Sequence, residues 1–74
     1  MTISEKKKLR SYAQVLSKMS LTLNELLVKE EYRLDNLSER MSEGPKADEL
    51  QDNIESLEEV ASLTDELINL LEEF

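Results

Sequence analysis

An all-α fold, a two-helix antiparallel hairpin, is what this sequence predicts, and three observations carry it. The single Gly and the single Pro of the 74 residues are adjacent, at Gly44-Pro45. Leu, Glu, Lys, Ser and Asp dominate on both sides of that pair, a composition that points to helix. Apolar residues recur at heptad spacing in both arms. A hairpin-rich β protein would need many more turn residues.

The chain is expected to form one domain over residues 1–74. Helix 1 should run over about residues 4–42, a turn over 43–45 and helix 2 over 46–73. Thr2-x-x-Glu5 has capping-box form and marks the start. Gly suits the end of one helix and Pro the first turn of the next. In helix 2, Ala47, Leu50, Ile54, Leu57, Ala61, Thr64, Ile68 and Leu71 follow a strict 3-4 spacing, the a/d stripe of a helical seam. In helix 1, Leu9, Leu16, Leu23, Glu30 and Leu37 recur every seven residues. Ala13, Ser20, Leu27, Leu34 and Met41 run beside them, as do Tyr12, Met19 and Leu26. Folding about residues 43–44 pairs Leu37 with Leu50, Leu34 with Ile54, Leu27 with Ala61 and Leu16 with Leu71. The two stripes stay in register throughout, which supports the hairpin.

Asp35-Asn36 is the one local irregularity. Asn36-x-x-Glu39 again has capping-box form, so helix 1 could stop near Leu34 and a short segment could follow. The stripe continues through Leu37 and Met41, and a continuous or gently kinked helix is the favoured expectation.

Helix 2 carries a second stripe. Val60, Leu63, Leu67, Leu70 and Phe74 also step 3-4-3-4, while Asn53 and Ser56 hold the same register nearer the turn. Helix 1 adds Val15, Leu21 and Val28. One partner helix cannot cover this surplus. Val15, Val60, Leu63, Leu67, Leu70 and Phe74 are therefore expected to form an oligomer interface, closing a four-helix bundle or a higher helical oligomer. Two helices of this length bury little on their own, which argues the same way.

The net charge of −8 is unevenly spread. Residues 1–33 hold seven Lys/Arg and four Glu; residues 34–74 hold two Lys/Arg and thirteen Asp/Glu. An acidic chain repels nucleic acid, so nucleic-acid binding is not expected. With no Cys and no His, there is no thiolate nucleophile, no disulfide and no usual general base. No apolar run reaches the roughly 18 residues of a membrane span, and no apolar core follows the N-terminal lysines. A cytoplasmic protein without cofactor or metal is the expectation. Carboxylate-only metal sites remain conceivable at Glu30, Glu31 and Asp35 or at Asp48, Asp52 and Glu55. A solvated acidic face explains them more simply. No complete carboxylate constellation is present, and an enzyme is not expected.

The stretch E-E-Y-R-L-D-N-L-S-E, followed by the acidic helix E-L-Q-D-N-I-E-S-L-E-E-V, resembles a class of small helical proteins encoded by bacterial phages and mobile elements. These share an E-x-x-x-D-N-L-P-E segment. The matching positions here are Glu31, Asp35, Asn36, Leu37 and Glu39, with Ser38 in place of Pro. The resemblance covers about residues 30–73. It implies a source and no particular activity.

Three further features stand out. Glu30 is a carboxylate in the seam, expected opposite Leu57, where Lys29, Arg33 or a second chain could pair it and where it could set register. Lys6, Lys7, Lys8 and Arg10, with Tyr12, form a basic cluster on turns of helix 1 that project beyond Phe74. They could hold a small anionic nucleotide or complement Glu72 and Glu73. Asp48, Glu49, Asp52, Glu55, Glu58 and Glu59 form an acidic face that could meet a basic host protein or act as a DNA-mimic decoy. The function expected is a non-enzymatic, self-associating helical interaction protein. The alternative is a phage inhibitor of bacterial defence.

Overall fold

A computed structural model gives two helices packed against each other, and it describes residues 1–37 and 44–74. Helix α1 spans Ile3–Asp35 and helix α2 spans Pro45–Glu72. The hairpin is a rod of 59 × 14 × 12 Å. Its radius of gyration is 17.1 Å, whereas a compact domain of this length would have about 11 Å.

Helix α1 begins with the expected capping box. The Glu5 amide donates to Thr2 Oγ1 at 3.1 Å, and the Thr2 amide donates to Glu5 Oε1 at 2.8 Å. Helix α2 begins at Pro45, with Gly44 as an extended N-cap that offers no side chain. Asp48 in the first turn sits where the helix dipole favours an anion.

Helix 1 is expected to continue to about residue 42, and residues 38–42 of that expectation lie outside the described residues. The helix ends at Asp35, close to the alternative stop. Asn36 closes it twice over: its backbone amide and its side-chain amide both donate to Tyr32 O, at 3.1 and 2.6 Å. The Leu37 amide then turns back to Leu34 O at 3.2 Å, a tighter pattern than the α-helix. An Asn side chain competes here for the backbone. Glu39, Met41 and Glu43, the first residue of the predicted turn, fall within residues 38–43, outside the described residues.

The core is a single seam. In α1 every residue that is not exposed belongs to the series Leu9, Ala13, Leu16, Ser20, Leu23, Leu27, Glu30 and Leu34. In α2 the same holds for Ala47, Leu50, Ile54, Leu57, Ala61, Thr64, Ile68 and Leu71, the predicted stripe residue for residue. Burial is shallow. Among the described residues only Ala13, Ala47 and Leu50 are fully buried apolar groups, joined by Glu30 and Thr64. Thr64 returns its hydroxyl proton to Val60 O at 2.7 Å, so this polar seam member leaves no donor unpaired.

Candidate association surface

The seam defines the flanks. With Ala13 and Ala47 at heptad position a, Tyr12, Met19 and Leu26 fall at g in α1, and Val60, Leu67 and Phe74 fall at g in α2. In an antiparallel pair the two g rows lie on the same side. Leu26 and Val60 indeed line one shallow hollow between the helices, together with Glu30, Asn53, Ser56 and Leu57. Val15, Leu63 and Leu70 occupy the neighbouring c positions, and Val15 and Met19 share an adjoining hollow on α1.

Nine apolar side chains therefore share one flank: Tyr12, Val15, Met19 and Leu26 from α1, and Val60, Leu63, Leu67, Leu70 and Phe74 from α2. Each is 42–57% exposed. The six residues expected at an oligomer interface are all among them. Tyr12, Met19 and Leu26 were expected to widen the helix 1 stripe; they turn outward instead, which enlarges the flank. Leu21 and Val28 do not join it. They are at b, on the other side of the outer surface of α1, and line a separate hollow with Asn24, Glu25 and Lys29.

The flank ends at a polar cluster. Glu30 is 8% exposed in the seam. Arg33 Nη1 donates to its Oε1 and forms an ion pair. Asn53 Nδ2 reaches across from α2 to its Oε2 at 3.0 Å. The Asn53 hydrogen bond and then the Arg33 hydrogen bond hold the Glu30 carboxyl below its ordinary value, against the opposing effect of desolvation. Arg33 and the facing Leu57 were foreseen. Asn53 as the partner was not, although its g position seven residues before Val60 places it level with Arg33, one turn from Glu30.

The basic cluster is exposed at Lys6, Lys7, Lys8 and Arg10. At about 100° per residue, positions 6, 7, 8 and 10 point around the helix rather than toward one point. A single hairpin does not converge them on one ligand. Among the described residues none of the four is ion-paired; the ion pairs there are Arg33–Glu30 and Lys46–Glu49. Of the four only Lys8 stays beside Tyr12, the two lining one hollow with Met1, Glu5 and Leu9, and Tyr12 also belongs to the apolar flank. Asp48, Glu49, Asp52, Glu55, Glu58 and Glu59 are all exposed on the outer surface of α2. No group of three or more carboxylates is arranged to hold a metal ion among the described residues, and no helix is long and apolar enough to cross a membrane.

No family model, no characterised protein and no solved structure matches this chain.

Proposed function

We propose that this protein is a non-enzymatic interaction module that associates with a second copy of itself through the Tyr12–Leu26 and Val60–Phe74 flank. One observation carries the reading. Nine of the exposed apolar residues of the two helices lie on the same side, over the same stretch of the rod, and polar side chains end the patch.

The areas agree with one more copy. The hairpin exposes 5892 Å². A folded monomer of 8.6 kDa would expose about 4,700 Å². Nine side chains, each about half exposed, offer on the order of 700–900 Å² per copy. Two copies would bury about 1,400–1,800 Å², the size of a standard specific interface. At about 0.75–1.5 kcal/mol for each half-exposed side chain, both copies together gain roughly 14–27 kcal/mol gross. That exceeds the ~4–15 kcal/mol that association costs in lost freedom over nearly all of both ranges.

The acidic outer surface of α2 stays available in such a pair, and a basic host protein is the partner it fits. The D-N-L-x-E resemblance supports a phage or mobile-element source. A second reading, an inhibitor that sequesters a small anionic nucleotide, is favoured only by the unpaired state of Lys6, Lys7, Lys8 and Arg10, and it needs several copies to bring them together. Light scattering over a micromolar concentration range tests the first reading, with a dimer mass expected; a folded monomer throughout would end it. Thermal shift against a nucleotide panel tests the second, because a ligand of the folded state must raise the melting temperature.

A further inference from the structure

The register of the hairpin fixes what faces a second copy. Ser20 donates to Asp65 across the seam at 3.3 Å, and Leu26 shares its hollow with Val60. In that register Tyr12 is level with Phe74, Met19 with Leu67 and Leu26 with Val60, three rungs about 10 Å apart. From edge to edge, the flank runs through rows f, c and g of α1 and then g, c and f of α2. Its two edges differ in charge. Rows c and f of α1 carry Lys8, Lys18 and Lys29 with one carboxylate, Glu25. The same rows of α2 carry Glu49, Asp52, Glu59, Glu66 and Glu73 and no cation. All of these are exposed, and among the described residues Lys8, Lys18 and Lys29 are in no ion pair.

A partner helix that meets rows c and g has row f about 80° from the line of contact. Rows e and g stand about as far from an a/d seam, where they form the interhelical ion pairs of a coiled coil. The f rows are therefore placed to pair across the association surface.

Two twofold arrangements bring the flanks of two copies face to face over all three rungs. With the axis across the rods at Met19/Leu67, the Pro45 ends point apart, α1 lies on α1 and α2 on α2. Lys18 then meets the partner's Lys18, Lys8 the partner's Lys29, Glu66 the partner's Glu66 and Glu59 the partner's Glu73. Glu5 opposite the partner's Arg33 is the one favourable pair. With the axis along the rods, the Pro45 ends lie together and each α1 lies on the partner's α2 at unchanged level. Lys18 then meets the partner's Glu66, Lys29 falls between the partner's Glu59 and Asp52, and Lys8 lies one turn from the partner's Glu73. Glu25 opposite the partner's Glu59 is the one unfavourable pair in these rows. Packed helices stand about 8–10 Å apart, about one Debye length at physiological salt, so these signs count. Nearer the axis, Arg33 and Lys46 of each copy arrive already paired with Glu30 and Glu49 of their own chain.

Resting on the self-association reading, we propose that the two copies associate about an axis along the rods, both Pro45 ends together, with each α1 antiparallel on the partner's α2. The three lysines that no carboxylate pairs within one hairpin gain acidic neighbours. Val15 and Thr22 face the partner's Leu70 and Leu63. Both basic N-terminal turns project at one end of the bundle, where Lys7 and Arg10, at b and e, turn away from the partner.

The chain has no cysteine, so introduced thiols report this geometry directly. Single variants Val15→Cys, Thr22→Cys, Leu63→Cys and Leu70→Cys, one thiol per chain, are mixed in pairs and oxidised under dilute conditions. Val15→Cys should link to Leu70→Cys, and Thr22→Cys to Leu63→Cys. Links of Val15→Cys to Thr22→Cys and of Leu63→Cys to Leu70→Cys, alone or in equal yield, would overturn the arrangement while leaving the dimer intact. A dimer by mass with neither set of links would place the contact elsewhere and overturn it as well. A monomer by mass would remove the underlying reading. A charge cycle gives a second readout. Lys18→Glu should weaken the dimer several-fold at low salt and less at high salt, and adding Glu66→Lys to the same chain should restore it. Independent, additive effects of the two substitutions would overturn the arrangement.

Discussion

Replacing Leu63 and Leu70 together with lysine should split the dimer. The two side chains are 57% and 51% exposed in the single hairpin. As surface residues of a monomer they would tolerate the change within about 0.5 kcal/mol each. In the pair they occur four times. Losing about 0.75–1.5 kcal/mol at each occurrence removes roughly 3–6 kcal/mol of association energy. Lysine keeps part of its stem on the apolar surface and lifts its ammonium to water, so the lower end applies. A loss of about 3 kcal/mol weakens the dimer about 100-fold. Sedimentation equilibrium at several loading concentrations reads this directly. Circular dichroism on the same samples shows whether the separated hairpin remains helical. A dimer whose mass and dissociation constant are unchanged would refute the second stripe as an interface.

Three other substitutions probe single contacts. Leu50→Ala opens a hole at the most buried large side chain, 2% exposed, and should cost about 2–5 kcal/mol out of a total near 4–11 kcal/mol; a denaturant midpoint within error of the parent would show the seam is not the core. Glu30 is held below its ordinary value of 4.5, so its pairing stabilises the fold above that pH and the stabilisation is lost as pH falls through the lowered value. The stability gap between the parent and Glu30→Gln should therefore shrink on acidification, as read by urea titration at stepped pH, and a gap that stays constant to low pH would deny the paired carboxylate. Thr2→Ala removes a cap worth about 0.5–2 kcal/mol from turns that α2 does not cover; amide exchange should quicken over the first two turns of α1 with little change near Leu27, and uniform quickening would contradict a locally frayed end.

The sequence was most legible where one pattern had one explanation. The α2 seam from Ala47 to Leu71 is a strict heptad stripe with a single polar member, and each of its residues turns inward. The α1 arm offered three parallel columns, and spacing alone did not say which two face α2. Tyr12, Met19 and Leu26 went to the flank because the register with α2 centres the seam on Ala13, Ser20 and Leu27. At the end of α1 stripe continuity argued for more helix and Asn36 argued for less, and the described helix ends at Asp35. The balance depended on a side-chain hydrogen bond to Tyr32 O that spacing does not reveal. Asn53 looked like a gap in an apolar stripe; only Glu30, one turn along across the seam, gives it a partner. The basic cluster looked compact in sequence, yet consecutive helix positions scatter it around the rod.

Glu30 links these observations. A carboxylate in a narrow apolar seam adds little to stability, and leaving it without a partner is costly. It is satisfied here because Asn53 stands at the right level. Sliding one helix by a heptad moves Asn53 about 10 Å away, and in the direction that brings Val60 to its place one carboxylate oxygen is stranded against an apolar side chain. Leucine-on-leucine packing alone would tolerate that slip, because the stripes repeat every seven residues. The Glu30–Asn53 hydrogen bond therefore selects one register among several of similar apolar burial, the best-attested use of a polar residue in a helical seam. That same register makes Tyr12 level with Phe74, Met19 with Leu67 and Leu26 with Val60. Shifted by a heptad, one outer rung would lose its partner and the α1 and α2 halves of the patch would no longer coincide. The contact that looks least favourable to the core is thus what assembles the apolar flank into a single surface.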